Sequence, residues 1–295
     1  MDDTKKDLYV FIALLIGLAI LWRFTGGPER GDYKNGPYLY KPEEKYAQQL
    51  TRQVENISQN TQNTPVPATT TPINPMVSPF KDFVRLGYVY GRYEKEPEKE
   101  YIEIQSSYGN KSPIKITGWK LVGKRGLDVT IGRGAYLVYS AQINPQQDIY
   151  LYPGDRAYII TGISPIGTSF KINKCIGYFS QFQNFYPELP SWDCPRPEDE
   201  EYAQSLDDNC LDYLETIPRC RMQISIPPKL SSTCQSYINE KINYNTCVEG
   251  HKNDSDFYKG EWRIYLGRTE KLWKEERETI ILKDENGKIV DSVSY

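Results

Sequence analysis

Six cysteines and one histidine bound the chemistry this chain can perform. Cys175, Cys194, Cys210, Cys220, Cys234 and Cys247 fall within one stretch of sequence, with no C-x-x-C pair among them. His251 is not set between paired cysteines, so the spacing argues against a zinc centre. A catalytic thiol would have only His251 as its base. An even number of widely spaced cysteines reads instead as disulfides formed in an oxidising compartment. No metal and no cofactor is expected.

Three further groups could do chemistry. Glu198, Asp199, Glu200 and Glu201, with Asp207 and Asp208, could attract a hard cation. They lack a D-x-D-x-D-G spacing, and the plainer reading is a helix opening at Pro197 with acids in its first turn. Lys111, Lys115, Lys120, Lys124, Arg125 and Arg133 surround Trp119. They offer phosphate contacts beside an aromatic ring for stacking. Alternatively they are the solvated positions of strands that bury Ile114, Ile116 and Leu121, with Trp119 in the core. The net charge of −3 weighs against a dedicated nucleic-acid binder. Finally, Tyr178, Phe179, Phe182, Phe185 and Tyr186 crowd five aromatics into one short run. They could contact a partner or glue neighbouring elements together. Trp192, Trp262 and Trp273 are expected as core anchors, and Asn56, Asn110 and Asn253 head glycosylation sequons.

The cysteines need elements to position them. Asp208 or Asn209 can cap a helix running to about Glu215, and Ser231 or Ser232 a second running to about Asn243. Cys210 and Cys220 flank the first helix; Cys234 and Cys247 flank the second. An antiparallel helix pair would join Cys220 to Cys234 and Cys210 to Cys247. Cys175 and Cys194 would then tie the region to the rest of the fold. Helices this short are marginal alone, which gives the bridges a physical purpose.

Around that region the chain reads as strands. Tyrosine is abundant, at 24 residues, and methionine scarce, at 3. Alternating runs recur at residues 83–93, 100–105, 114–121, 149–151, 157–161, 169–172 and 262–266. Turn residues separate them, which predicts an antiparallel sandwich or barrel. No long helix alternates with the strands, so a doubly wound parallel sheet is disfavoured. The final run, ETIILKDENGKIVDSVSY, predicts a hairpin with Glu285, Asn286 and Gly287 as a three-residue loop. In that register Asp284 faces Lys288 and Leu282 faces Val290. The hairpin is expected to sit inside the sheet system, completing it.

Four motifs follow one another in order: Glu100-Tyr101-Ile102-Glu103-Ile104; Gly118-Trp119 with Leu121; Leu151-Tyr152-Pro153-Gly154; and the run from Thr279 through Gly287 with Val290-Asp291. That succession resembles the lamin tail domain, an immunoglobulin-like β-sandwich. The likeness covers about residues 80–178 and 262–295. It implies no catalytic residues, but structural roles in protein contacts and in some members chromatin binding. Residues 180–261, which hold or adjoin all six cysteines, form an insertion that a minimal lamin tail lacks.

The N-terminal part has a different character. Residues 8–22, LYVFIALLIGLAILW, are uninterrupted apolar, flanked by Lys5, Lys6 and Arg23. No small-x-small cleavage site follows, so an uncleaved signal anchor over residues 8–24 is expected rather than a signal peptide. Residues 1–7 would be cytoplasmic. Residues 25–79 read as a stalk with a polar helix at 42–58 and a Pro/Thr/Asn-rich linker. Residues 80–295 form the folded domain. Basic residues on both sides leave the orientation open, and the expected disulfides settle it with the domain outside. Taken together, the expectation is a non-enzymatic, membrane-anchored display protein. It would contact lipid through its anchor and bind a protein or envelope polymer through its domain. Accessory DNA binding through the basic stretch is the alternative, and a hydrolase with its site in the insertion a weaker one.

Overall fold

The computed structural model describes residues 13–18, 76–124 and 126–295. The chain divides into two compact units, Met1–Thr70 and Thr71–Tyr295. In the first unit, residues 13–18 are helical, with Leu14, Leu15, Ile16 and Leu18 more than half exposed. Most of the expected anchor at 8–24, the cytoplasmic segment 1–7, nearly all of the stalk with its helix at 42–58, and Arg125 lie outside the described residues. Among the described residues, no helix is long and apolar enough to cross a membrane.

The second unit is mainly β. Its strands are β1 (Val84–Tyr90), β2 (Tyr101–Ser106), β3 (Ile114–Lys115), β4 (Lys120–Val122), β5 (Asp128–Thr130), β6 (Tyr150–Leu151), β7 (Arg156–Ile160), β8 (Phe170–Asn173), β9 (Tyr258–Tyr265), β10 (Thr279–Lys283) and β11 (Ile289–Ser294). They build a five-stranded sheet in the order β1-β2-β7-β9-β8, a four-stranded sheet β11-β10-β4-β5, and the pair β3-β6. Strand alternation decides which residues face inward. On β2, Ile102 and Ile104 are fully buried while Tyr101 and Glu103 are half-buried. Ile159, Trp262 and Ile264 of the five-stranded sheet share one core with Leu121, Val129, Ile280 and Leu282 of the four-stranded sheet. Trp119 lies in that core, as expected.

The sheets are largely antiparallel, with one departure. β7 and β9 run parallel, pairing Ala157 with Trp262 and Ile159 with Ile264. Parallel neighbours need a long connection. Here the chain between them passes through β8 and the whole cysteine-bearing region, which supplies that length.

The closing hairpin keeps its predicted loop but not its register. Gly287 takes a positive φ of +77°, its N–H donates to the Asp284 carbonyl at 3.0 Å, and the Asp284 N–H donates to the Lys288 carbonyl at 2.9 Å. Beyond Lys283–Ile289 the pairing shifts, and Leu282 lies opposite Asp291 instead of Val290. Val290 is the extra residue of a bulge. The bulge allows Leu282 and Val290 both to be buried in the same core, which strict alternation would have secured by pairing them. β10 pairs with β4 through Leu282 and Leu121, so the C-terminal hairpin is integral to the four-stranded sheet.

Between β8 and β9 lies the stapled region. It has helices α1 (Asp208–Glu215), α2 (Ser232–Lys241) and α3 (Tyr244–His251), with 3-10 turns at Ile176–Gln181, Pro197–Asp199 and Glu201–Ser205. The acids after Pro197 thus open tight turns rather than an α-helix. α1 and α2 begin near where capping chemistry places them, with Asp207 and Ser231 as N-caps. The second helix stops early because Asn243 caps a new one, accepting from the Thr246 N–H at 3.0 Å. Residues Tyr258 to Glu261, expected in the insertion, belong to β9.

All six cysteines are in disulfides, but none of the three expected pairings occurs. The bridges are Cys175–Cys247, Cys194–Cys220 and Cys210–Cys234. α1 and α2 meet start to start, not start to end. The Ser231 hydroxyl donates to Asp207 Oδ2 at 2.7 Å, and each cap accepts from the N–H of a cysteine three residues on. Two helices joined at their caps bring Cys210 against Cys234. Cys247, carried on the separate helix α3, is left to reach Cys175 at the end of β8. The six sulfurs lie in a second hydrophobic core with Phe170, Ile172, Leu214, Ile238, Val248 and Phe257.

Candidate binding cleft

The lone histidine is the centre of a charged chain in the stapled region. His251 occupies the last turn of α3, where a cation complements the helix dipole. Its Nε2 lies 3.0 Å from Glu200 Oε1 and its Nδ1 2.8 Å from Asp254 Oδ2. Lys174 continues the chain, 2.8 Å from Asp254 and 2.6 Å from Asp256. Burial, the largest single influence on His251, pulls its pKa down. The hydrogen bonds and charges of Asp254 and Glu200 outweigh it and hold the imidazole above its ordinary value. Lys174 follows the same pattern, with burial overcome by Asp254 and Asp256. Asp254 is held below the usual carboxylate range by Lys174 first and His251 second. With both ring nitrogens engaged by carboxylates, the imidazole fastens the turn at Glu200 to the end of α3. No cysteine is free to act as its nucleophile.

Beside this chain opens a cleft of ≈ 280 Å³. Tyr178, Tyr202, Tyr237, Glu200, Lys241 and Glu249 line it. Tyr178 comes from the 3-10 turn after β8, Tyr237 and Lys241 from α2, and Glu249 from α3. Burial, then the charge of Glu200, raises the Tyr178 hydroxyl well above the usual phenol range and pushes Tyr237 up to about 12. Both rings are therefore neutral hydrogen-bonding groups at physiological pH. Lys241 Nζ sits 5.6 Å from the Tyr202 ring centroid, within cation–π range. Glu249 accepts from the Tyr139 hydroxyl at 2.8 Å and pairs with Lys252 at 2.5 Å. Such a wall combines aromatic side chains with hydrogen-bond donors and acceptors.

The structure separates the aromatic run. Tyr178 lines the cleft, Phe179 packs on Tyr244 at 4.4 Å between centroids, and Phe185 is buried edge-on against Phe170. Tyr186 is half-buried beneath Lys99. Phe182 alone is largely exposed, at 61 %. Trp262 and Trp273 are core residues, but Trp192, expected there, is 73 % exposed because it stands outside both cores. Asn110 is buried, and its amide donates to the Phe83 carbonyl and Ser106 hydroxyl, which ties up the nitrogen a glycan would need.

The basic stretch does not gather into one patch. Lys115 pairs with Glu285 at 2.9 Å and Arg133 with Asp148 at 3.0 Å. Lys124 donates to the Arg277 carbonyl, while Lys111 and Lys120 project from exposed positions. Among the described residues, no group of three or more His, Cys, Asp or Glu side chains is placed to hold a metal ion. Sequence reasoning had noticed Glu200 and His251 separately and missed their pairing. Nothing in the sequence singles out Tyr202, Tyr237, Lys241 or Glu249 for a cleft, since their only signal is their place in the stapled region.

These features define a mainly β protein of largely antiparallel sheets with a three-disulfide region bearing a cleft. Comparison with known families, curated proteins and solved structures gives no match to the chain.

Proposed function

We propose that this is a membrane-anchored, extracytoplasmic display protein that binds without catalysing a reaction. Its sandwich is of the immunoglobulin-like, lamin-tail type and serves as the scaffold. The stapled region, with its cleft, is the contact surface for a protein or polymer of the cell envelope. The apolar run at residues 8–22 is the lipid anchor, with the N-terminus in the cytoplasm.

The observation that carries this reading is the complete oxidation of all six cysteines within a separate core. Three bridges stabilising one small region point to an oxidising compartment. The succession of motifs from Glu100 to Asp291 supports the lamin-tail reading, and the scattered, partly neutralised basic residues favour protein or polymer contact over DNA.

The test is to express the full chain, isolate membranes, and add protease from each side before mapping peptides without reduction. The expected result is a membrane-bound chain, cleaved only from the outer face, with Cys175–Cys247 intact. A soluble chain carrying free thiols overturns the reading.

A further inference from the structure

The cleft wall includes a tyrosine hydroxyl that the protein leaves without a partner. Tyr178 is only 7 % exposed and lines the cleft, yet its hydroxyl makes no hydrogen bond within the protein. The hydroxyl therefore opens to the cleft, where an entering molecule can replace the water that meets it. Glu200 offers an acceptor beside it: Oε1 is taken by His251, and the side chain is 34 % exposed, which leaves Oε2 open to solvent.

Charge decides which class of molecule suits these groups. Glu200 already contacts His251, and Glu249 pairs with Lys252. Lys241 adds one ammonium, already resting on Tyr202. The charged groups of the wall are thus each engaged within the protein, and they are of both signs. The wall does have donors and acceptors beside the exposed ring of Tyr202. A sugar ring meets that description: hydroxyls at its rim and an apolar C–H face that packs on aromatic rings. The ≈ 280 Å³ of space is at the small end of ligand sites, which begin near about 300 Å³. It suits one ring rather than an extended peptide.

We propose that the cleft between α2, α3 and the turns at Tyr178 and Glu200 binds a single neutral sugar residue of an envelope glycan. The assignment rests on the display reading above and names the polymer class it would contact.

The experiment is saturation-transfer NMR on the purified full chain, in a detergent without a sugar headgroup. The probes are glucose, galactose and N-acetylglucosamine, with tetramethylammonium as the charged comparator. Saturation should reach the ring C–H protons of at least one sugar and leave tetramethylammonium untouched. Tyr178→Phe removes only a hydroxyl with no partner, so its thermal midpoint should not fall, while sugar affinity should drop by about tenfold. Glu200→Gln should weaken binding too, with the disulfide map unchanged. Absence of saturation from every sugar, equal affinity in Tyr178→Phe, or preference for tetramethylammonium each overturns the assignment. Failure of the sugars with a chain still oxidised outside the membrane removes the cleft's ligand class alone. A reduced, soluble chain removes the display reading.

Discussion

The outer bridge, Cys175–Cys247, joins the end of β8 to α3 and encloses both other bridges. Removing it with Cys175→Ala and Cys247→Ala tests how the stapled region is held. Its sequence separation is 72 residues, for which loop-closure entropy gives about 4.4 kcal/mol at room temperature. The bridges Cys194–Cys220 and Cys210–Cys234 lie inside that loop and provide short cuts. With both closed, the shortest covalent path falls to roughly 40 residues and the expected loss to about 3.9 kcal/mol. Either inner bridge, spanning 26 or 24 residues, is worth about 3.5 kcal/mol on the same basis. The assay is hydrogen exchange read by mass spectrometry on peptides covering α3 and β10. Protection of α3 should fall by roughly two to three orders of magnitude. Protection of β10 should hold, because Ile280 and Leu282 belong to the other hydrophobic core. An α3 protected to within about tenfold of wild type would refute the loop-entropy reasoning.

Three further outcomes are expected. His251 has its pKa raised in the fold from an ordinary 6.5, so its contribution is complete below that value and is lost as pH rises through the folded one. Thermal melts should therefore decline above neutrality, and His251→Gln should flatten that arm. The acid arm, to which the lowered Asp254, Asp256, Asp207, Glu249 and Glu278 contribute, should remain, since their contribution is lost only as pH falls through their depressed values. Asp284 is buried and accepts from the Ser78 hydroxyl at 2.7 Å and the N–H groups of Asn286 and Lys288 at 2.9 Å. Asp284→Ala should cost about 2–4 kcal/mol in urea unfolding by stranding those donors, with Asp284→Asn recovering part. Gly91 has a φ of +67°, and a Cβ there would overlap the Lys99 carbonyl. Gly91→Ala should accordingly destabilise by about 3 kcal/mol or more, read as a lowered melting midpoint.

Local chemistry was legible in the sequence, and its long-range consequences were not. Alternation at Tyr101 to Gln105 and the Asn286-Gly287 turn identified strand and hairpin because both depend on neighbouring residues. The bulge at Val290 escaped because it answers to a core shared with Leu121, far off in the chain. The helix caps were similarly readable near Asp208 and Ser231. Which ends of the helices would meet was not, since that depends on one hydrogen bond between the caps themselves. The wrong disulfide pairings follow from that single geometric choice. The cleft was hidden for the same reason: Glu200 and His251 mean little until α3 swings one against the other.

The way the stapled region leaves the sheet explains how one chain supports both cores. Asn173 on β8 and Tyr258 on β9 are paired partners, and the Lys174 N–H donates to the Phe257 carbonyl at 2.8 Å just beyond them. The region is thus an expanded hairpin loop, leaving and returning at adjacent positions. Closing a long loop costs little more than closing a short one, because the entropy grows only with the logarithm of length. The bridges then restrict the loop internally, so its cleft geometry is set by Cys175–Cys247 and its companions rather than by the sandwich strands. Yet the loop is not a passive appendage. Phe170 and Ile172 of β8 point into its core, and every residue of that edge strand is buried. An edge strand left open is a site for unwanted pairing. Here the edge is met by Ala135, whose N–H donates to the Ser169 carbonyl at 2.8 Å and whose carbonyl accepts from the Lys171 N–H at 3.0 Å, while the stapled region covers the side-chain face of β8, so the surface proposed for recognition is also a cap on the fold.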